Sequence, residues 1–214
     1  MEDNELKERI LLRAEEIFFQ HGYTRVRMDE IAEGLGMSKK TLYKFFDSKE
    51  NLFLEIMNRM KVRIKTNCQL ICEDTEMEFI QKLKKLMNYI AKQSSKLRGP
   101  LPEDLQKNMP HVWTDINEYR KKEALTKFGD LIDEGVRKGA FRKDIDRQII
   151  VLMYVNAISS LVNPEVLSQL PFTGDQVFET IIKIMFEGIF TDEGRQKYLS
   201  SPAQLNNERG DKLQ

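Results

Sequence analysis

Apolar residues recur three and four positions apart along almost the whole 214-residue chain, a spacing that leaves little room for anything but helices. Leu6, Ile10, Ala14, Ile17 and Phe18 form one stripe of a first helix ending near Gly22. A short second helix runs from Met28 to about Leu35 and breaks at Gly36, and Ser38 caps a third through Phe46. Asp47 with Glu50 reads as a capping box for a fourth helix, a rod of about six turns carrying Phe53, Met57, Met60, Ile64, Cys68 and Ile71 on one side. Thr75 with Glu78 reads as a second box, opening a fifth helix that runs to about Ser95. Gly99 to Pro110 holds three prolines and a glycine, the composition of a connector with at most one short helix.

Val112 to Lys138 is long and helical, with Ile116, Leu125, Phe128, Ile132 and Val136 inward and Gly139 closing it. Asp144 opens a helix through about Val162. The run IIVLMYV has strand propensity, but the apolar pattern continues to Leu161 without a turn signal, and that length favours helix. Thr173 with Gln176 caps a last helix, on which Val177, Phe178, Ile181, Ile182, Met185, Phe186 and Ile189 leave only a narrow polar face. After Thr191 the chain turns polar and is expected to fray. With no trusted strand and no internal repeat, the fold class is all-α, with about nine to ten helices.

The most apolar stretch, Ile149 to Val162, has 14 residues and is interrupted by Asn156, Ser159 and Ser160. It falls short of the roughly 20 needed to span a bilayer. The start, MEDNELKERI, lacks the basic and then apolar signature of a secretory signal, and two cysteines build no disulfide framework. A cytoplasmic, reducing location is expected, with no membrane association.

Thirty-four Lys plus Arg balance thirty-four Asp plus Glu, so any nucleic-acid partner must be met by a local basic surface. Met28 to Phe46, MDEIAEGLGMSKKTLYKFF, has the layout of a helix-turn-helix. Ile31, Ala32 and Leu35 face inward, small Ala32 lets the helices cross closely, Gly36 permits the turn, and Met37 and Leu42 pin the second helix. Lys39, Lys40 and Lys44 fall within Gly36 to Phe45, which contains no acid. That local charge suits a helix whose N-terminus enters a major groove.

The run FFQHGYTRVRMDEIAEGLGMSKKTLYKFFDSKENLF resembles the DNA-binding domain of the tetracycline-repressor (TetR) family of bacterial transcriptional regulators. The matching pieces are Phe18 with Gly22-Tyr23, Asp29 to Ala32, Gly36 with Met37-Ser38-Lys39, Thr41-Leu42-Tyr43, and Phe46 with Ser48-Lys49-Glu50. The close match spans about residues 5 to 55, and GVRKGAFRKDID is similar to the segment joining the middle and last helices of family members. The resemblance implies DNA contacts from Arg27, Met28, Ser38, Lys39, Lys40, Thr41, Tyr43, Lys44 and Lys49. Tyr43 would meet a phosphate, Lys49 the DNA backbone at the start of the fourth helix, and the three recognition-helix lysines the base edges. Arg27 stands where a Ser or Thr usually caps the second helix, and Phe45 where Tyr or His is more usual. The family also encloses a small-molecule cavity among its middle helices, which makes Met60, Ile64, Met87, Trp113, Ile116 and Phe128 candidate ligand-binding residues.

Each feature has a plainer reading. The lysines could be a solvated face, Tyr43 a half-buried packing residue, and the Met and Phe stripes simple core. GLGMSKKT superficially resembles a phosphate loop, but it lacks the glycine before Lys39 and a preceding strand. Cys68 and Cys72, four apart, have only His21 and His111 as further soft ligands, both distant in sequence, so they read as buried inert thiols and no metal or cofactor is expected. His21 packs or caps near the end of the first helix, and His111 beside Trp113 is a candidate pocket residue. Nothing in the chain assembles a catalytic set.

The reading is a ligand-responsive, sequence-specific DNA-binding regulator and not an enzyme. It is most simply a repressor released from a palindromic operator by a hydrophobic or amphipathic effector. The expected domains are 1–48 for DNA, 49–192 for effector binding and dimerisation, and a polar tail, 193–214. The two last long helices are too apolar for a monomer's surface and predict a homodimer. A two-fold dimer sets its recognition helices roughly 34 Å apart on double-stranded DNA. The rival reading is a helical protein-binding adaptor with a vestigial helix-turn-helix.

Overall fold

The computed structural model describes residues 2–96 and 99–201 and contains eleven helices among them, with no strand. These are α1 (Glu2–His21), α2 (Met28–Gly34), α3 (Lys39–Phe45), α4 (Lys49–Glu73), α5 (Phe79–Lys96), α6 (Pro100–Asn108), α7 (Pro110–Arg137), α8 (Arg147–Leu161), α9 (Pro164–Leu167), α10 (Gly174–Ile189) and α11 (Asp192–Ser200).

The helix starts follow local capping chemistry, in two places from a different residue than expected, and the turn before α5 is also held by a neighbour of the expected one. Ser48, not Asp47, caps α4: its hydroxyl accepts the Asn51 N–H at 3.0 Å. Between α4 and α5 the Asp74 carboxylate, rather than a Thr75 box, accepts the N–H groups of Glu76 and Met77. Asp146, not Asp144, caps α8 by accepting from Gln148 and Ile149, while Asp144 pairs with Arg142 at 2.7 Å. The Thr173–Gln176 box closes at both ends as expected.

The proline-rich stretch is the short helix α6, with Pro100 and Pro102 in its first turn, and Pro110 opens α7. Both placements use proline where a helical N–H has no partner. The chain does not fray after Thr191. That hydroxyl accepts the Gly194 N–H and starts α11, whose Tyr198 ring lies 5.1 Å from Phe190 and 4.6 Å from the Lys84 ammonium. The expected tail therefore includes a packed helix, and its remainder from 202 lies outside the described residues.

Two hydrophobic cores organise the chain. The first joins α1–α3 to the N-terminal half of α4, to α6 and to the start of α7, through Ile10, Phe18, Ile31, Leu42, Phe46, Phe53, Leu101 and Leu105 among others. The second joins α5, the rest of α7, α8 and α10, with an aromatic group of Phe79, Phe141, Phe186 and Phe190 at its far end. The segment after α7 carries Phe141, which bridges Phe190 at the end of α10. An ion pair between buried Lys82 and half-buried Glu134, at 3.0 Å, ties α5 to α7.

Candidate DNA-binding face and effector cavity

The recognition helix is aimed from behind. Ile31, Ala32 and Leu42 are buried, Leu35 and Met37 partly so, and Gly36 makes the turn at φ +65°, the left-handed region glycine adopts freely. Ser38 caps α3, its hydroxyl accepting the Thr41 N–H at 3.1 Å and standing 2.8 Å from the Thr41 hydroxyl. Lys39, Lys40, Tyr43 and Lys44 face outward, all exposed. Lys39 is paired with Asp29 of α2 at 2.8 Å, which raises its pKa, and its ammonium sits 6.0 Å from the Tyr43 ring. Lys40 and Lys44 have no carboxylate partner among the described residues and are the free charges of this face.

Three of the expected DNA contacts read differently in the structure. Met28 is buried in the first core at the start of α2, so its side chain is not presented on this face. Arg27 has extended backbone at the N-cap, and Glu30 supplies half a capping box by accepting the Arg27 N–H at 3.2 Å. A guanidinium only donates, so it cannot replace the missing cap hydroxyl and is left exposed.

Lys49 turns inward. Its ammonium donates to the carbonyls of Tyr23, Thr24 and Val26 at 3.0, 3.4 and 3.1 Å and lies 4.3 Å from the Tyr23 ring centroid. An ammonium has three N–H donors, and here three carbonyls take them. Burial pulls its pKa below the ordinary lysine value against the opposing influence of Asp104 and Glu30. In this arrangement the ammonium of Lys49 is taken up by the α1–α2 turn.

That turn has a second anchor that the sequence did not reveal. Asp104 of α6 accepts both the N–H and the hydroxyl of Thr24, and Asn108 donates to the same carboxylate at 2.6 Å. Gly22, at φ +84°, lets the chain pass so close that a Cβ there would stand 2.8 Å from an Asp104 oxygen. Close spacing in sequence could not have paired residues 24 and 104.

A cavity of about 340 Å³ lies at the seam between the two cores. Met57, Met60 and Ile116 of the first core meet Leu86, Met87, Phe128 and Tyr154 of the second on its wall. All six residues nominated from the sequence, Met60, Ile64, Met87, Trp113, Ile116 and Phe128, line it. Phe128 and Tyr154 stack at 4.4 Å between ring centroids.

Cys68 and Cys72 also line the cavity and are half-buried rather than fully enclosed. Burial, then the neighbouring Cys72, pushes the Cys68 thiol up to about 11, and burial raises Cys72 as well, so both stay protonated near neutrality. His111 is not on the wall: it is exposed, with Nε2 3.9 Å from a Glu50 oxygen. His21 is exposed at the end of α1.

A buried scaffold presenting a short basic helix, joined by α4 and α6 to an apolar cavity, defines a ligand-responsive DNA-binding transcriptional regulator. Residues 10–56 match the bacterial regulatory proteins of the tetR family. It is 26% identical over 188 residues to the uncharacterized HTH-type transcriptional regulator YvaF of Bacillus subtilis, covering 88% of this chain and 97% of that one. It is 47% identical to the HTH-type transcriptional regulator QacR of Staphylococcus aureus over 53 residues, 25% of this chain and 28% of QacR. Its fold is similar to that of the fatty acid degradation regulator FadR from Bacillus halodurans, at TM-score 0.60 and 22% identity, covering 85% of this chain and 95% of that one. A transcriptional regulator from Cytophaga hutchinsonii shares the fold at TM-score 0.66 and 19% identity over 86% of this chain and 98% of that one. Among the described residues no helix is long and apolar enough to cross a membrane.

Proposed function

We propose that this chain is a cytoplasmic repressor whose homodimer binds a palindromic operator and releases it when a hydrophobic or amphipathic small molecule fills the cavity. The DNA-reading unit is 1–48, and the sensing and dimerising unit is 49–192 with α11 added. The observation that carries the reading is the seating of α3 on the same core that forms one wall of the cavity. A change at Met60 or Ile116 is thereby felt by the residues that aim Lys40, Tyr43 and Lys44.

Two elements transmit it. The 25 residues of α4 make a rod roughly 37 Å long, with Lys49 in the head and Met60, Ile64 and Cys68 on the cavity. The shorter α6 packs Leu101 and Leu105 into the head core and is followed directly by α7, which carries Trp113, Ile116 and Phe128. An effector favouring a conformation with wrongly spaced recognition helices lowers operator affinity by that preference. A coupling of about 1–3 kcal/mol gives roughly 5- to 150-fold release.

The dimer reading is supported by α8 and α10. Ile149, Leu152 and Met153 of α8 and Ile184 of α10 are large apolar side chains left half or more exposed in one copy, from 50% to 69%. A two-fold axis through these helices would cover them with their own copies.

The test is selection of bound sequences from a random duplex pool, wild type beside Tyr43→Ala, at about 100 mM salt because phosphate contacts dominate affinity. A palindrome enriched by the wild type alone supports the reading. No enrichment by a folded dimer, before and after extraction of any co-purified ligand, overturns it.

A further inference from the structure

The cavity wall is apolar in bulk but one-sided in charge. Lys61, Lys65, Arg120, Lys121 and Lys127 border it against a single acid, Glu123, in a chain whose total charge is zero. The lysines gather toward the α4–α7 edge, with Lys65 and Lys121 exposed and Lys61 and Lys127 half-buried. Arg120 is different. It is half-buried on the wall and makes no hydrogen bond or ion pair with any described residue.

A desolvated guanidinium without a carboxylate is costly, and burial pulls the Arg120 pKa below its ordinary value. Tyr154, 7% exposed and fixed by its stack on Phe128, also brings a phenol to the wall with no hydrogen-bond partner among the described residues. Its hydroxyl is near enough to Arg120 to feel that charge. Unpartnered buried polar groups facing a cavity are the groups a ligand satisfies.

We infer that the effector is an anionic amphiphile, its carboxylate held by Arg120 and the Tyr154 hydroxyl and its apolar body lying among Met60, Ile64, Met87 and Phe128. The Arg120 fork donates two N–H groups in the plane a carboxylate offers, and the phenol adds a third donor. The lysines at the edge favour entry of a negative ligand over a positive one. This inference rests on the reading of the cavity as the effector site.

The test uses the full-length protein and the fluorescence of Trp113, the sole tryptophan, which lines the cavity. Decanoate, decanol and decyltrimethylammonium, all below their aggregation limits, are titrated in parallel. The inference expects decanoate to bind at least about 10-fold more tightly than decanol, and the cation weakest, since charge-assisted pairing supplies the difference.

In Arg120→Met that preference disappears while decanol affinity is retained. The unliganded variant also melts higher than wild type, because an unpaired half-buried charge has been removed. Tyr154→Phe, which keeps the ring stack, lowers decanoate affinity only. Decanol or the cation binding as well as decanoate overturns the inference but leaves the cavity as effector site. Silence from all three probes overturns both. A lower melting point for Arg120→Met with unchanged decanoate preference would make Arg120 merely structural and also overturns the inference.

Discussion

Asp104 and Thr24 lie 80 residues apart in the chain, yet the carboxylate of one accepts the hydroxyl and the N–H of the other at 2.5 and 2.6 Å. This contact joins the helix that precedes the cavity wall to the turn that orients the DNA-binding helices. Asp104→Ala is expected to leave the protein folded, to cost about 1 kcal/mol because the site is open to solvent, and to shrink effector-driven release of DNA. Operator binding measured with and without effector checks it, and undiminished release would remove Asp104 from the coupling route.

The same carboxylate sets an acid limit. Burial alone would raise its pKa, but the hydrogen bonds from Thr24 and Asn108 outweigh that and hold it below the ordinary carboxylate value. A depressed folded pKa contributes stability that is complete above the unfolded value, about 4, and is lost as pH falls through the folded value. Denaturant melts from pH 6 down to about 3 should therefore show a steeper acid loss in wild type than in Asp104→Asn.

The free charges of α3 should account for its affinity. Lys40→Ala or Lys44→Ala is expected to reduce the salt slope of operator binding by about 1 where the lysine meets phosphate, or to cost about 1–3 kcal/mol at one base position where it reads an edge. Lys39→Ala should do less, because DNA must compete with Asp29 for that ammonium. Asp29→Ala should tighten binding for the same reason.

Lys49→Met separates positioning from contact. The three carbonyls of the α1–α2 turn lose their donors, so the melting temperature falls and affinity drops, while the salt slope stays that of wild type. A slope reduced by a full phosphate contact would restore the DNA role that the sequence suggests for this residue.

Cys68, held up to about 11 chiefly by burial, should react with iodoacetamide at pH 7.5 far more slowly than an exposed thiol. A ligand in the cavity should slow it further. Fast, ligand-insensitive labelling would place the thiol outside the cavity wall.

The sequence disclosed most of the helices because their apolar stripes and caps are local. It misplaced caps by one or two residues where two candidate acceptors adjoin, as at Asp47 and Ser48, since side-chain chemistry alone does not say which backbone is extended. It missed α11 because DEGRQKYLS buries little beyond Gly194 and part of Tyr198, although Thr191 followed by two acids was a readable start signal. Six residues of the cavity lining were legible only through the family resemblance, since helical phase alone reads them as core. The inward turn of Lys49, the Asp104–Thr24 contact and the isolation of Arg120 were not, because each depends on which distant groups the fold brings near.

Everything that aims α3 stands behind it: Leu42 in the core, Phe46 at its end and Lys49 on the turn. On its outer face only Lys39 braces a neighbour, through Asp29 of α2. On the proposed reading, exchanging Lys40 or Lys44 changes the address the protein seeks without disturbing the core behind α3 or the cavity. If these lysines read the operator, lineages descending from such a chain can drift to new operators through a handful of surface codons while keeping the same cavity.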